Sequence, residues 1–116
     1  MGQSKEKTQR EYSLRITENA LENIEEITNY IALTKHQPLN AIKVGDDLFK
    51  TIEKIAINPF AFSEFEAIPT KARMYRKAVC HNWLIVFKVE KTETIILGVI
   101  HGSRAVPKLK KLRNIK

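Results

Sequence analysis

One cysteine, Cys80, stands among 116 residues, so no disulfide can close within the chain and nothing assigns it to an oxidising compartment. The four glycines are isolated from one another, which excludes a phosphate-cradling glycine loop. Three scattered histidines and the lone cysteine stand at no ligand spacing, so neither a metal site nor a cofactor is expected. The longest unbroken apolar runs reach about half a dozen residues, far below the roughly 20 that span a bilayer as a helix. Met1–Arg10 is polar and charged, without the apolar centre of a signal peptide, and reads as a disordered leader. Together these absences predict a cytoplasmic protein with no membrane partner, folded as one domain around one core.

Positive charge is abundant, and it is unevenly placed. The formal net charge is +7. Residues 71–116 hold twelve Lys/Arg and two Glu, a net of +10; residues 1–70 hold eight Lys/Arg and eleven Asp/Glu, a net of −3. A one-sided cationic surface is the electrostatic footprint of a phosphate-rich or acidic partner. Residues 106–116, with Lys108, Lys110 and Lys111, form a basic C-terminal tail.

Apolar periodicity orders the elements. Tyr12, Leu14 and Ile16 alternate within Glu11–Ile16, a period-2 strand. Thr17 suits a helix N-cap, with Glu18 in the first turn where the helix dipole favours an anion. Ala20, Ile24, Ile27 and Ile31 then recur at helical spacing, reinforced by Leu21 and Tyr30, and Pro38 ends that helix near Thr34–Gln37. Pro38 also suits the first turn of a second helix, whose buried stripe is Ala41, Val44, Leu48, Ile52 and Ile55, with Ile42 and Phe49 beside it. Gly45 costs about 1 kcal/mol relative to alanine inside a helix, which points to close helix–helix packing. Asn58-Pro59 stops the second helix, and the aromatic loop Phe60–Phe65 is expected to tuck against the core.

Three strands follow: Ala72–Val79, reversed through Cys80-His81-Asn82; Trp83–Val89; and Thr94–His101, after the polar connection Glu90–Glu93. Trp83, Ile85, Phe87 and Val89 line one face of the middle strand, and Leu84 and Val86 the other, the pattern of a strand covered on both sides. The whole is an α+β domain, an N-terminal strand and a helical hairpin followed by a three-stranded antiparallel sheet.

The order of these pieces, the paired Arg76-Lys77 before Trp-Leu-Ile-Val-Phe-Lys-Val, and the closing Ile-Ile-Leu-Gly-Val-Ile-His-Gly-Ser-Arg resemble the RelE/ParE superfamily, the small basic toxins of type II toxin–antitoxin and plasmid-stabilisation systems. The resemblance covers residues 11–105 and implies a single toxin domain there. It implies growth arrest, neutralisation by a cognate antitoxin in a hetero-oligomer, and one of two targets. RelE-like members cut mRNA in the ribosomal A site; ParE-like members poison DNA gyrase. An inactive relative that retains only antitoxin binding is a further possibility.

Under the nuclease alternative, a metal-independent endoribonuclease needs a base for the ribose 2′-hydroxyl, cations for the phosphorane charge and an acid for the leaving oxygen. Arg76 and Arg104 are the candidate catalytic cations, since a guanidinium grips phosphate bidentately. His101 is the candidate proton carrier, although it alternates with Ile95, Leu97 and Val99, as a structural histidine would. Arg73, Lys77, Lys108, Lys110 and Lys111 are candidate nucleic-acid contacts, with Tyr75 set to stack on a base between Arg73 and Lys77. RelE-like nucleases carry a tyrosine just beyond the final arginine. Residues 105–112 here hold neither tyrosine nor histidine, so the resemblance supports a nuclease less than it supports a toxin.

Overall fold

Thr17 is the joint of the fold. It follows strand β1 (Ser13–Ile16) and precedes helix α1 (Glu18–Asn29), and its side chain accepts the Ala20 amide as N-cap at 3.1 Å. Its hydroxyl donates to the Ile96 carbonyl at 2.8 Å, so the cap of α1 is also bolted to the sheet. The computed structural model describes residues 13–65 and 74–104. The expected starts of the first and third strands at Glu11 and Ala72 lie outside those residues.

Helix α1 widens into a single π-helical turn, Tyr30–Thr34, closed by the Lys35 amide on the Tyr30 carbonyl at 3.1 Å. Pro38 then opens helix α2 (Pro38–Ile57) from within its first turn. The buried side of α2 is the expected stripe, with Leu48 and Ile55 fully enclosed. A Cβ added at Gly45 would stand 3.3 Å from Thr28 Cγ2, so the missing side chain is what lets α1 approach. Four residues expected beside the buried stripes are instead exposed: Leu21, Tyr30, Ile42 and Phe49.

A 3-10 turn at Pro59–Ala61 leads out of α2. The sheet adds β2 (Tyr75–Cys80), β3 (Trp83–Glu90) and β4 (Glu93–His101), in the order β1-β4-β3-β2. Both hairpin turns have two residues, and both place a non-glycine residue at positive φ, His81 at 55° and Lys91 at 51°. The second turn is shorter than the expected four-residue connection because Glu90 and Glu93 pair directly. β2, β3 and β4 run antiparallel, and β1 lies parallel against β4.

One irregularity reorganises the faces. Val86 pairs with Gly98 but Phe87 pairs with Ile96, leaving Leu97 as an extra residue in β4. Before this bulge Ile96 faces the helices; beyond it Val99 does. Ile95 and Leu97 join the cluster on the opposite face with Phe65, Tyr75, Val86 and Ile100. His101 therefore does not share a face with Ile95 and Leu97, as strict alternation required. It follows Val99 on the helix side, its ring meeting Trp83 edge to face with centroids 5.0 Å apart.

Candidate functional site

The basic strand β2 splits its charges between two faces. Arg76 alternates with Ala78 and Cys80 toward the helices; Tyr75 and Lys77 point to the other side. Arg76 is not held out toward a ligand. Its Nη1 donates to the Phe62 carbonyl at 2.6 Å and its guanidinium lies 4.9 Å from the Phe60 ring centroid, while its buried Nε has no partner. The guanidinium thus fastens the aromatic loop to the sheet. Phe62 completes that attachment edge-on to Phe87, at 6.1 Å.

Tyr75 is 8% exposed and packs with Phe65, so its ring has no free face for a base to stack on. What buries it is the loop folding back: Phe65 N–H donates to the Tyr75 carbonyl at 2.8 Å, and Lys77 N–H to the Ser63 carbonyl at 3.1 Å. Lys77 Nζ then sits 5.5 Å over the Phe65 ring. Arg73, Lys108, Lys110 and Lys111 lie outside the described residues. Arg104 ends a 3-10 turn, Gly102–Arg104, that follows β4 directly.

His101 is at the far end of the sheet from Arg76. Arg76 pairs with Phe87, which pairs with Ile96, and His101 is five residues further along β4. At ~3.3 Å per residue that separates them by about 16 Å along the strands. The Ser103 amide donates to His101 Nδ1 at 3.1 Å, with Ser103 Oγ 2.7 Å from the same nitrogen. Nδ1 is therefore an acceptor, and a neutral ring carries its proton on Nε2. Arg76 and His101 do not share a site.

A second histidine, His81, is engaged at the β2–β3 turn. His81 Nε2 lies 2.7 Å from Asp47 Oδ2, and Lys43 Nζ 3.1 Å from the same oxygen. Hydrogen bonds from His81 and then Lys43 hold the Asp47 carboxyl below its ordinary value. No pattern in the sequence pairs positions 47 and 81; the turn geometry brings them together.

Between this turn and the closed end of the helical hairpin, where α1 passes into α2, lies a cleft of about 670 Å³. Ile27, Ile31, Val44, Val99 and Trp83 form its apolar part, and Tyr30, Lys35, Gln37, Asn40, Asn82, His101 and Ser103 bring polar groups to it. Among the described residues no group of three or more His, Cys, Asp or Glu is placed to hold a metal. No helix among them is long and apolar enough to cross a membrane.

The sequence matches the profile of the ParE toxin of the type II toxin–antitoxin system, parDE, over residues 14–106. The chain belongs to this toxin family. Among solved structures it is similar to a chromosomal ParDE toxin–antitoxin system from P. aeruginosa, with TM-score 0.62 and 19% identity over 79% of this chain and 97% of that one. It also aligns with the RelBE2 toxin–antitoxin complex from Mycobacterium tuberculosis, with TM-score 0.49 and 15% identity over 78% and 96% of the two chains. No curated protein matches it in sequence. The strand, helical hairpin and further three strands are the fold of the P. aeruginosa structure.

Proposed function

We propose that this toxin arrests growth by binding DNA gyrase, without chemistry of its own, and that a cognate antitoxin neutralises it. The observation that supports a non-catalytic toxin is the dispersal of the candidate nuclease groups. Phosphodiester cleavage without a metal needs base, acid and cations within hydrogen-bond reach of one phosphate. Arg76 and His101 are about 16 Å apart along the strands, Arg76 is engaged by the Phe62 carbonyl, Lys77 faces away and Tyr75 is enclosed. The absence of tyrosine and histidine from residues 105–112 agrees. Membership of the ParE family favours gyrase over the ribosome as the target.

For the antitoxin, the hairpin offers exposed apolar residues on α2, namely Leu39, Ile42, Phe49 and Ile57, and the sheet ends in β2 with Val79 exposed. An amphipathic or extended acidic segment laid across the hairpin and that edge would cover the apolar groups and offset the basic half of the chain. Non-catalytic action is tested by primer extension on a message under translation in a cell-free system. No new 5′ ends are expected with excess toxin. New ends at ribosomal A sites would replace this proposal with a nuclease, its cations drawn from Arg73 and Arg104.

A further inference from the structure

The cleft at the closed end of the hairpin belongs to none of the roles above. Its floor and its rim differ in kind. Ile27, Ile31 and Val44 come from the helices and Val99 from β4, all nearly enclosed, and Trp83 stands over them half-buried. Trp83 and His101 meet at an interplanar angle of 87°, so the two rings make a corner rather than a stack. A planar ligand can lie along one wall of such a corner with its edge toward the other.

Around this corner are side-chain amides with unused capacity. Asn40 Nδ2 donates to Gln37 Oε1 at 3.1 Å, which leaves Asn40 Oδ1 and Gln37 Nε2 available. The Asn82 side chain makes no hydrogen bond among the described residues, and neither does the Tyr30 hydroxyl. Amides that offer a donor and an acceptor side by side match the edge of a nucleobase, which presents the same alternation. A phenylalanine or tyrosine side chain from a protein partner would leave most of these groups unmatched, at a cost in affinity.

Charge narrows the ligand further. The formally charged lining residues are Glu26 and Lys35, one of each sign, and His81 is already held by Asp47. In a chain of net charge +7 this is a neutral recess. It suits the uncharged ring of a nucleotide better than its phosphate. The volume also fits, since small-molecule clefts run from roughly 300 to 1,000 Å³.

We infer that this cleft is a binding site for an unstacked nucleobase, held against Trp83 and read at its edge by Asn40, Asn82 and Gln37. The site needs no catalytic group and stands whether or not gyrase is the target. In a complex that holds DNA or RNA, it would take a base already splayed from its stack.

Trp83 is the sole tryptophan of the chain, so its fluorescence reports the cleft alone. The test titrates the purified protein with adenosine, guanosine, cytidine and thymidine, and in parallel with N-acetyltyrosinamide. Saturable quenching by at least one nucleoside is expected, weakened tenfold or more in Asn82→Ala and in Asn40→Ala, both exposed positions whose loss leaves the core intact. Val44→Phe, which fills the floor, should abolish it while circular dichroism stays native. Absence of saturable quenching by any nucleoside would overturn the assignment. So would quenching unchanged in both asparagine variants, or stronger binding of N-acetyltyrosinamide than of every nucleoside.

Discussion

Asn23 Oδ1 accepts the backbone amide of Val99 at 2.9 Å, and through it α1 takes over the edge of β4 where β1 has run out. β1 pairs with β4 only as far as Ile96. Beyond that point Asn19 Nδ2 donates to the Leu97 carbonyl at 2.9 Å, and Asn23 serves Val99. Two helix side chains thus satisfy backbone groups that a longer strand would otherwise pair.

Asn23→Ala should therefore destabilise the fold by about 1–3 kcal/mol, the usual cost of a buried amide left without its acceptor. Urea denaturation followed by circular dichroism measures it. A loss below about 0.5 kcal/mol, ordinary for a surface change, would show that water replaces the asparagine.

Arg76→Met separates structure from chemistry. It removes the bond to the Phe62 carbonyl, with an expected cost of about 1–3 kcal/mol. Toxicity per folded molecule should be unchanged. A loss of toxicity in a variant whose folded fraction matches the wild type would return Arg76 to the functional surface.

Asp47 sets a pH dependence. Its folded pKa lies below the ordinary carboxylate value, chiefly through His81. Such a group contributes stability that is fully present above the unfolded value and lost as pH falls through the folded one. Chemical denaturation between pH 6 and pH 3 should show this acid-side loss, and Asp47→Asn should flatten it. An unchanged acid limb in that variant would remove Asp47 from the explanation.

Ile42→Glu addresses the antitoxin surface. The residue is 62% exposed, so stability should change by less than about 0.5 kcal/mol. Affinity for the antitoxin, measured by calorimetry, should fall tenfold or more, because a carboxylate would face both an apolar contact and an acidic partner. Unaltered affinity would move the antitoxin away from α2.

The helices were legible in the sequence because their signals are local. Pro38 at the start, Asn58-Pro59 at the end and five apolar residues at helical spacing describe α2 almost completely. Gly45 announced its close neighbour, which proved to be Thr28. The exposure of Leu39, Ile42, Phe49 and Ile57 was not legible: periodicity marks one buried face and says little about apolar residues off it. Strict alternation puts His101 on the wrong face for a definite reason. One bulge shifts the parity of every later residue, and the cue was Gly98, a glycine in the interior of a strand. From the sequence Tyr75 reads as available because its strand neighbours are basic; its burial depends on a loop ten or more residues upstream turning back to pair with β2. Contacts of that separation leave no periodic trace, and the same holds for Asn19 and Asn23 at the edge of β4.

The central claim is a toxin that works by occupying its target rather than by cutting RNA. Its most direct test is supercoiling of relaxed plasmid by purified DNA gyrase with ATP, as the purified toxin is titrated in. Supercoiling should fall with toxin concentration, recover on adding the antitoxin, and fall equally with Arg76→Met. Full supercoiling at a large molar excess of folded toxin would contradict the claim.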